Sequence, residues 1–307
     1  MSTDQTTRPS TGEPAGHEHG FTLRRRRRTP WVLGGAAAAV AVAAAALLAT
    51  TRQETSPNEV AGATLVVVSQ EGQAAEKALV DFVGREVAPR YGIEVEFRGL
   101  ADSTQLNRAV SEGEVAGTVY QHRLWLDQVL EANPDFREEA ATPVYRWGFG
   151  LWSDKHRSPQ DLPDGAKVSL LADPANEAQG LWLLERAGLI TLEEGVDRWR
   201  ATRDDIATNP KNLQFVLLDF GAQPLALRDL DAVAGYTLNF TTAGIGQDKL
   251  IFAPTPPDEF AAQLTIGSRW KDEENIRKLV AAFRDPAVQE FLATDPAVKG
   301  DLLPLAG

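Results

Sequence analysis

The sequence predicts two α/β lobes joined by a hinge and preceded by one transmembrane helix. Short apolar runs alternate with amphipathic stretches in a β-α-β-α-β order from Thr64 to Val129, and the same order starts again near Val144. A long apolar segment follows five arginines near the N-terminus. Alternating strands and helices are typical of an α/β fold.

The first 62 residues divide into three predicted segments. Residues 1–30 are polar, end in the arginines at 24–28, and are expected to be a disordered basic tail in the cytoplasm. Residues 31–50 carry no charge and are mostly alanine, so they are expected to form an uncleaved membrane anchor. Cleavage within the alanine run is the alternative, although signal-peptide cores are shorter. Residues 51–62 are expected to be a polar linker.

The charge balance of the remaining chain excludes general nucleic-acid binding. Seven of the 31 basic and three of the 43 acidic residues lie at or before Arg52, which leaves 24 basic and 40 acidic residues beyond it. Such a surface repels a phosphate backbone, so no nucleic-acid partner is expected. The sequence has no cysteine, which excludes disulfides, thiol nucleophiles and thiolate metal sites.

The first lobe is predicted over 63–143 and 264–307. Strands are predicted at 64–69, 93–97 and 116–120, and helices at 74–91, at 106–112 and through Trp125. The run at 64–69 is continuously apolar, as in a buried parallel strand, and a doubly wound parallel sheet is expected. The strand at 263–268 and the helix at 273–283 are expected to return to this lobe.

The second lobe is predicted over 144–263, and its most informative part is the end of one strand. Lys167–Leu171 is followed at once by Asp173, Asn176 and Glu177, which are typical of a helix start. A strand that leads into a helix N-terminus exposes free backbone N–H groups at the edge of the sheet. Small anionic or zwitterionic ligands bind at such edges.

The sequence gives no sign of catalysis. The part after the linker has two histidines, His122 and His156, and it lacks a Gly-x-Ser-x-Gly elbow, a phosphate loop and a His-Glu-x-x-His helix. We therefore expect a binding protein rather than an enzyme, with no cofactor and no metal.

Several motifs together resemble the NlpA family of methionine-binding lipoproteins, the substrate-binding parts of ABC importers. These motifs are Asp173-Pro-Ala-Asn-Glu with the leucines that follow, Tyr120-Gln-His, Leu162-Pro-Asp-Gly-Ala and Asn209-Pro-Lys-Asn-Leu. The resemblance covers 64–292. It implies a periplasmic-binding-protein-like fold of type II, a methionine-like amino acid held between the lobes, and an ABC permease as partner.

The resemblance also bears on localisation. It implies a lipidated cysteine after the apolar segment, which this chain lacks. We therefore expect a single-pass protein of the cell membrane, with the anchor in place of the lipid, a cytoplasmic N-terminus and an extracytoplasmic domain.

Position and resemblance together select the candidate ligand-binding residues. Tyr120 and His122 follow a predicted strand and are expected to hold a thioether or aliphatic side chain, the alternatives being a core tyrosine and a helix-capping histidine. Asn176 and Asn239 are expected to contact the amine or carboxylate of the ligand. Their alternatives are an ordinary capping residue and a turn residue.

Three further candidates follow from departures from the family pattern at positions 179 and 237. Gln179 stands where the resemblance implies an arginine that grips the ligand carboxylate, and glutamine brings no charge. Arg146 is the predicted substitute cation, with a surface arginine as the alternative. Thr237 stands where an asparagine is frequent. These departures leave open a second function, a degenerate scaffold that acts as a sensor or interaction protein without transport.

Overall fold

The computed structural model describes residues 55–305. The predicted tail, the predicted anchor at 31–50 and the start of the predicted linker lie outside the described residues. Between residues 55 and 305, no helix combines the length and the apolar composition that crossing a membrane requires.

Strands and helices alternate through most of the described chain. The strands are β1 Thr64–Gln70, β2 Glu94–Leu100, β3 Gly117–His122, β4 Glu138–Trp147, β5 Phe149–Trp152, β6 Lys167–Leu171, β7 Thr191–Leu192, β8 Ile206–Thr208, β9 Gln214–Leu218, β10 Ala232–Tyr236, β11 Leu250–Phe252, β12 Ala262–Gly267 and β13 Leu302–Leu303. The α-helices are α1 Ala74–Phe82, α2 Ser103–Glu112, α3 Arg123–Ala132, α4 Pro174–Arg186, α5 Gln223–Ala226, α6 Thr237–Thr242, α7 Glu274–Phe283 and α8 Pro286–Thr294.

The first helix departs from regular geometry along its length. After α1 the chain forms a π-helical turn at Val83–Val87 and a 3₁₀ turn at Ala88–Tyr91, so the predicted helix at 74–91 is continuous but not uniform. It ends at Gly92, whose φ of 68° is the left-handed conformation that glycine adopts without steric cost.

The first sheet has six strands in the order β13-β4-β12-β3-β1-β2. Strand β1 pairs in parallel with β2 and with β3, and these three strands are joined through α1 and α2. Strand β12 pairs antiparallel with both β3 and β4, and β13 pairs antiparallel with β4. The chain therefore returns to this sheet after the second sheet is complete.

The second sheet has five strands in the order β11-β5-β10-β6-β9. Strand β6 pairs in parallel with β9 and β10, whereas β5 pairs antiparallel with β10 and β11. Both sheets are therefore mixed, which corrects the expectation of a doubly wound parallel sheet. The parallel strands are joined through helices. The strands that flank the connections between the two sheets, namely β4, β5, β11 and β12, pair antiparallel with all their neighbours.

The chain passes between the two sheets twice. The first passage is at Gly148, between β4 and β5, and the second is the segment 253–261, between β11 and β12. Strand β4 runs through position 144, where the sequence predicts the start of the second lobe, and it stays in the first sheet as far as Trp147. The passage therefore falls at the glycine rather than at the predicted boundary.

Gly148 is crowded on both sides. Its N–H donates to Asp301 O at 3.1 Å, and its carbonyl accepts from Thr237 N at 2.8 Å. A Cβ at this position would lie 2.8 Å from both Gly300 O and Thr237 Oγ1. Any larger residue would force one of these groups to move, so the passage requires glycine.

The described part of the predicted linker at 51–62 is held against the domain by hydrogen bonds. Asn58 is buried and donates from Nδ2 to Val115 O at 3.3 Å. Glu59 accepts a 2.8 Å hydrogen bond from Trp270 Nε1. The polar composition that suggests a linker therefore provides partners for specific groups of the first sheet and its helices.

Candidate functional site

A cavity of about 520 Å³ lies where the carboxyl ends of the parallel strands of both sheets meet. The first sheet contributes residues after β1 and at the end of β3, and the second contributes residues after β6, β9 and β10. Five aromatic side chains line it: Tyr120, Trp125, Trp147, Phe220 and Tyr236. An apolar lining with a few fixed polar groups is typical of a small-molecule site.

The start of α4 is fixed by its capping residue. Asp173 Oδ1 accepts hydrogen bonds from Asn176 N at 2.9 Å and from Asn176 Nδ2 at 2.8 Å. Pro174 occupies the first helical position, where its missing N–H costs nothing. The cap and the proline together hold the Asn176 side chain at the cavity wall.

His122 links the two sides of the cavity. Its Nδ1 accepts from Trp125 N at 3.2 Å, so the proton sits on Nε2, which donates to Asn176 Oδ1 at 3.2 Å. Burial lowers the pKa of His122 to about 4, and the ring is therefore neutral near pH 7. The bond to Asn176 joins the end of β3 in the first sheet to α4 beside the second.

Tyr236 completes this polar network. Its hydroxyl lies 2.6 Å from Asn176 Oδ1 and 2.7 Å from Gln179 Oε1. The hydroxyl has a single hydrogen to donate. The Asn176 amide is fixed by its Nδ2 bond to Asp173, so the hydroxyl donates to Asn176 Oδ1. Gln179 is then satisfied when its amide turns Nε2 toward the hydroxyl oxygen. Gln179 is buried beneath Tyr236 and is not among the residues that line the cavity.

Tyr120 and Asn239 line the cavity from opposite sides. The Tyr120 hydroxyl accepts a hydrogen bond from Asn107 Nδ2, and burial raises its pKa to about 12. Asn239 donates from Nδ2 to Phe220 O at 2.6 Å. Four of the seven predicted site residues, namely Tyr120, His122, Asn176 and Asn239, therefore surround one cavity.

Arg146 and Thr237 are not among the residues that line the cavity, which differs from their expected placement. Arg146 donates from Nε to Pro304 O and from Nη1 to Pro256 O, both at 2.9 Å. It thereby ties the second passage and the chain end to β4 and is not available as a substitute cation. Thr237 is buried beside Gly148 at the first passage.

Glu76 is a cavity residue that the sequence reasoning missed. Its Oε1 accepts hydrogen bonds from Tyr145 Oη at 3.2 Å and from Trp147 Nε1 at 3.1 Å. Burial raises the pKa of Glu76 to about 7, against the lowering effect of these two hydrogen bonds. A signal was present, because Glu76 lies three residues before Leu79 on the apolar stripe of α1, where a charged residue is unexpected.

Comparison with known proteins assigns this chain to a family. The model of the NlpA lipoprotein family matches residues 66–306. The chain is also 31% identical, over 242 residues, to the D-methionine-binding lipoprotein MetQ of Escherichia coli K12, a match that covers 77% of this chain and 85% of that protein. The chain belongs to the NlpA lipoprotein family.

The NlpA assignment agrees with solved structures. The chain is similar to an ABC transporter periplasmic substrate-binding protein from Coxiella burnetii, with a TM-score of 0.67, 28% identity and coverage of 78% of this chain and 99% of that one. It is similar to a nutrient-binding protein from Burkholderia cenocepacia bound to methionine, with a TM-score of 0.64, 28% identity and coverage of 78% and 98%. The α/β fold is therefore that of substrate-binding proteins, and its NlpA relatives are named for binding.

Proposed function

We propose that this NlpA-family protein is an extracytoplasmic substrate-binding protein of an ABC importer. In this proposal it holds a small, amino-acid-like ligand with an apolar side chain between its two sheets. The supporting observation is the cavity of about 520 Å³, which both sheets line and whose volume suits one small molecule.

The apolar half of such a ligand would meet the aromatic lining. Tyr120, Trp125 and Trp147 lie on the side of the first sheet, and Phe220 and Tyr236 lie on the side of the second. A thioether or a branched aliphatic chain packs favourably on aromatic rings. The names of the E. coli MetQ and of the methionine-bound Burkholderia protein support a methionine-like side chain.

Closure about the two passages would couple binding to transport. A ligand that contacts both sides stabilises the closed arrangement over an open one, and its differential affinity sets the size of the shift. The His122–Asn176 hydrogen bond joins the two sides and would form with closure. A permease would then recognise the closed form.

The membrane location is part of the same proposal. The apolar segment at 31–50 would hold the protein in the membrane, with the arginines at 24–28 on the cytoplasmic side. Protease added to intact cells should then degrade the domain and spare the tail. Protection of the domain until the cells are opened would contradict this orientation.

Calorimetric titration of the full-length protein in mild detergent tests the binding function. Amino acids, their amines and short peptides form the panel, with thermal unfolding as the second readout. A ligand at a hundred times its dissociation constant should stabilise the fold by about 2.7 kcal/mol. The absence of heat and of a melting shift across the panel at millimolar concentration would reject the binding function.

One observation favours a second candidate, a binding-protein scaffold that acts as a sensor or interaction protein without transport. The polar atoms of Asn176 are taken up by His122, Asp173 and Tyr236, which leaves less of this side chain for a ligand. A null result in the titration would support this candidate.

A further inference from the structure

A short segment on the side of the second sheet reaches across to the first. This crossing segment, residues 193–202, follows β7 and leads toward β8, and those two strands form a separate two-stranded sheet. A turn at Asp197 fixes its backbone, because Oδ1 accepts from Trp199 N at 3.1 Å and the carbonyl accepts from Arg200 N at 2.9 Å. The side chains of Trp199 and Arg200 both contact residues outside the segment.

Arg200 joins the crossing segment to the helix that follows β3. Its Nη2 donates to Asp127 Oδ2 of α3 at 2.7 Å. On its own side the segment is held by Arg198, which pairs with Glu185 of α4. The segment is therefore tied to α4, which follows a strand of the second sheet, and to α3, which follows a strand of the first.

Trp199 connects the same segment to the cavity wall through one intermediate ring. Its ring meets Phe260 edge to face, with centroids 5.5 Å apart and planes at 84°. Phe260 lies in the second passage, is 1% exposed, and meets the His122 ring at 5.8 Å and 88°. Edge-to-face pairs are attractive beyond the area that they bury. Packing of an outer segment thus reaches His122, which lines the cavity.

These contacts belong to the arrangement in which the two sides meet. In this joined arrangement His122 donates to Asn176 across the cavity. A rotation that separates the two sides has to break the Arg200–Asp127 pair as well, because its partners lie on different sides. Any contact present in one arrangement and absent from the other shifts the balance toward the first.

We propose that the crossing segment stabilises the joined arrangement, with Arg200 and Trp199 as positioning residues of the ligand cavity. Neither residue lines the cavity, so their effect on a ligand is exerted through the arrangement of the two sides. The proposal rests on the proposed function, since it concerns closure of the same cavity. Its effect on the arrangement itself requires no ligand.

A distance measurement without ligand tests the proposal. Spin labels on Arg108→Cys of α2 and Leu225→Cys of α5, both exposed, report the ratio of joined to separated molecules in the full-length protein. Adding Trp199→Leu should lower this ratio about two- to tenfold, the effect of losing one aromatic pair. Adding Arg200→Ala, at an exposed position that endangers folding little, should lower it up to about fivefold.

Two variants that change similar contacts within the first side are the controls. Phe291→Leu removes a partly buried ring that stacks on Phe82 at 4.2 Å. Lys278→Ala removes a 2.7 Å ion pair with Glu274 inside α7. Both should leave the ratio of joined to separated molecules unchanged.

The ion pair has two checks of its own. Salt at about 1 M screens exposed charges, so the parent protein and Arg200→Ala should then give the same ratio. The double variant Asp127→Arg with Arg200→Asp restores the pair in reverse and should return the ratio toward that of the parent. A double variant as separated as Arg200→Ala would show that the charge pair is not the cause.

Calorimetry with L-methionine connects the arrangement to binding. Only joined molecules hold the ligand, so both variants should bind it more weakly than the parent and the controls do. A ratio that falls no further in Trp199→Leu and Arg200→Ala than in the controls overturns the proposal, and so does a lowered ratio with unchanged affinity. If the ratio falls as expected and no compound of the panel binds, the crossing segment keeps its role in joining the two sides, and the binding function alone fails.

Discussion

Asn176 shows how closely the polar groups of this cavity are tied to one another. Its Nδ2 donates to Asp173, and its Oδ1 accepts from both His122 and Tyr236. Each hydrogen bond contributes only modestly to the net free energy of unfolding, but a buried polar atom that loses its partner lowers that free energy by about 1–3 kcal/mol. These hydrogen bonds therefore hold the side chains of Asn176, His122 and Tyr236 in place around the cavity.

Tyr236→Phe tests the network. The change removes the hydroxyl from Asn176 and Gln179 and leaves the buried Gln179 amide without this partner, so the free energy of unfolding should fall by about 1–3 kcal/mol. Tyr91→Phe is the control, because its partly exposed hydroxyl bonds Asp285 and water can replace it. Urea unfolding measures both, and equal losses would mean that the Tyr236 bonds carry no special weight.

Buried acids should make stability depend on pH in an unusual direction. Burial raises the pKa of Glu138 to about 8, from an ordinary value of 4.5. The folded state therefore keeps a proton that the unfolded state loses, and stability falls as pH rises from 4.5 to 8. The pKa of Glu76 is raised to about 7, mainly by burial and to a smaller extent by the charge of Asp301. Glu76 therefore also makes stability fall as pH rises from 4.5 to 7.

Glu138→Gln removes one of these protons. Each such proton changes the free energy of unfolding by up to about 1.4 kcal/mol per pH unit, so the variant should show a shallower decline between pH 5 and 8. His122 opposes the trend, because its low pKa costs stability as pH falls from 6.5 to 4, but it does so in both proteins. Urea unfolding at four pH values provides the comparison, and parallel curves would show that Glu138 does not titrate this way.

The sequence predicts cavity residues best where they follow a strand directly. Tyr120 and His122 end β3, and Asn176 starts the helix after β6, so strand assignment alone brings them to one edge. Gln179 lies one turn further along α4, under Tyr236, and motif matching does not reveal that depth. The placement of Arg146 could not be predicted from the sequence, because its hydrogen-bond partners, Pro256 and Pro304, are more than a hundred residues away along the chain.

At the scale of elements, local pattern was sufficient for the strands joined by helices. The predicted strand Lys167–Leu171 has the same limits as β6, and the strand predicted at 64–69 lies within β1. The antiparallel strands β4, β5 and β12 were harder, because strand direction depends on pairing with distant partners. An apolar run indicates burial but carries no information about direction.

The first passage between the sheets yields a prediction at this scale. Gly148→Ala would place a Cβ 2.8 Å from Gly300 O and from Thr237 Oγ1, so it should lower the free energy of unfolding by roughly 1–3 kcal/mol. Gly221→Ala is the matched control, since nothing lies within 4 Å of its Cβ. Thermal unfolding should separate the two variants, and similar melting temperatures would show that the passage tolerates a side chain.

At the scale of the whole molecule, two mixed sheets meet along a cavity, and the chain crosses between them at Gly148 and at 253–261. Two passages leave few backbone segments to resist a relative rotation. Arg146 holds the second passage to β4, and Gly148 is held by its hydrogen bonds to Asp301 and Thr237. A relative rotation of the two sheets would therefore have to change contacts at both passages.

The most direct test of the account is a distance between the two sides with and without ligand. The sequence has no cysteine, so Arg108→Cys beside the first sheet and Leu225→Cys beside the second create two unique labelling sites. Both side chains are exposed: Arg108 by 50% and Leu225 by 79%. Pulsed electron spin resonance on the doubly labelled full-length protein measures the distribution of distances between the two spin labels. This distribution should narrow and shift when a saturating ligand from the calorimetric panel is added. A ligand that binds by calorimetry and leaves the distribution unchanged would contradict closure of the two sides around it.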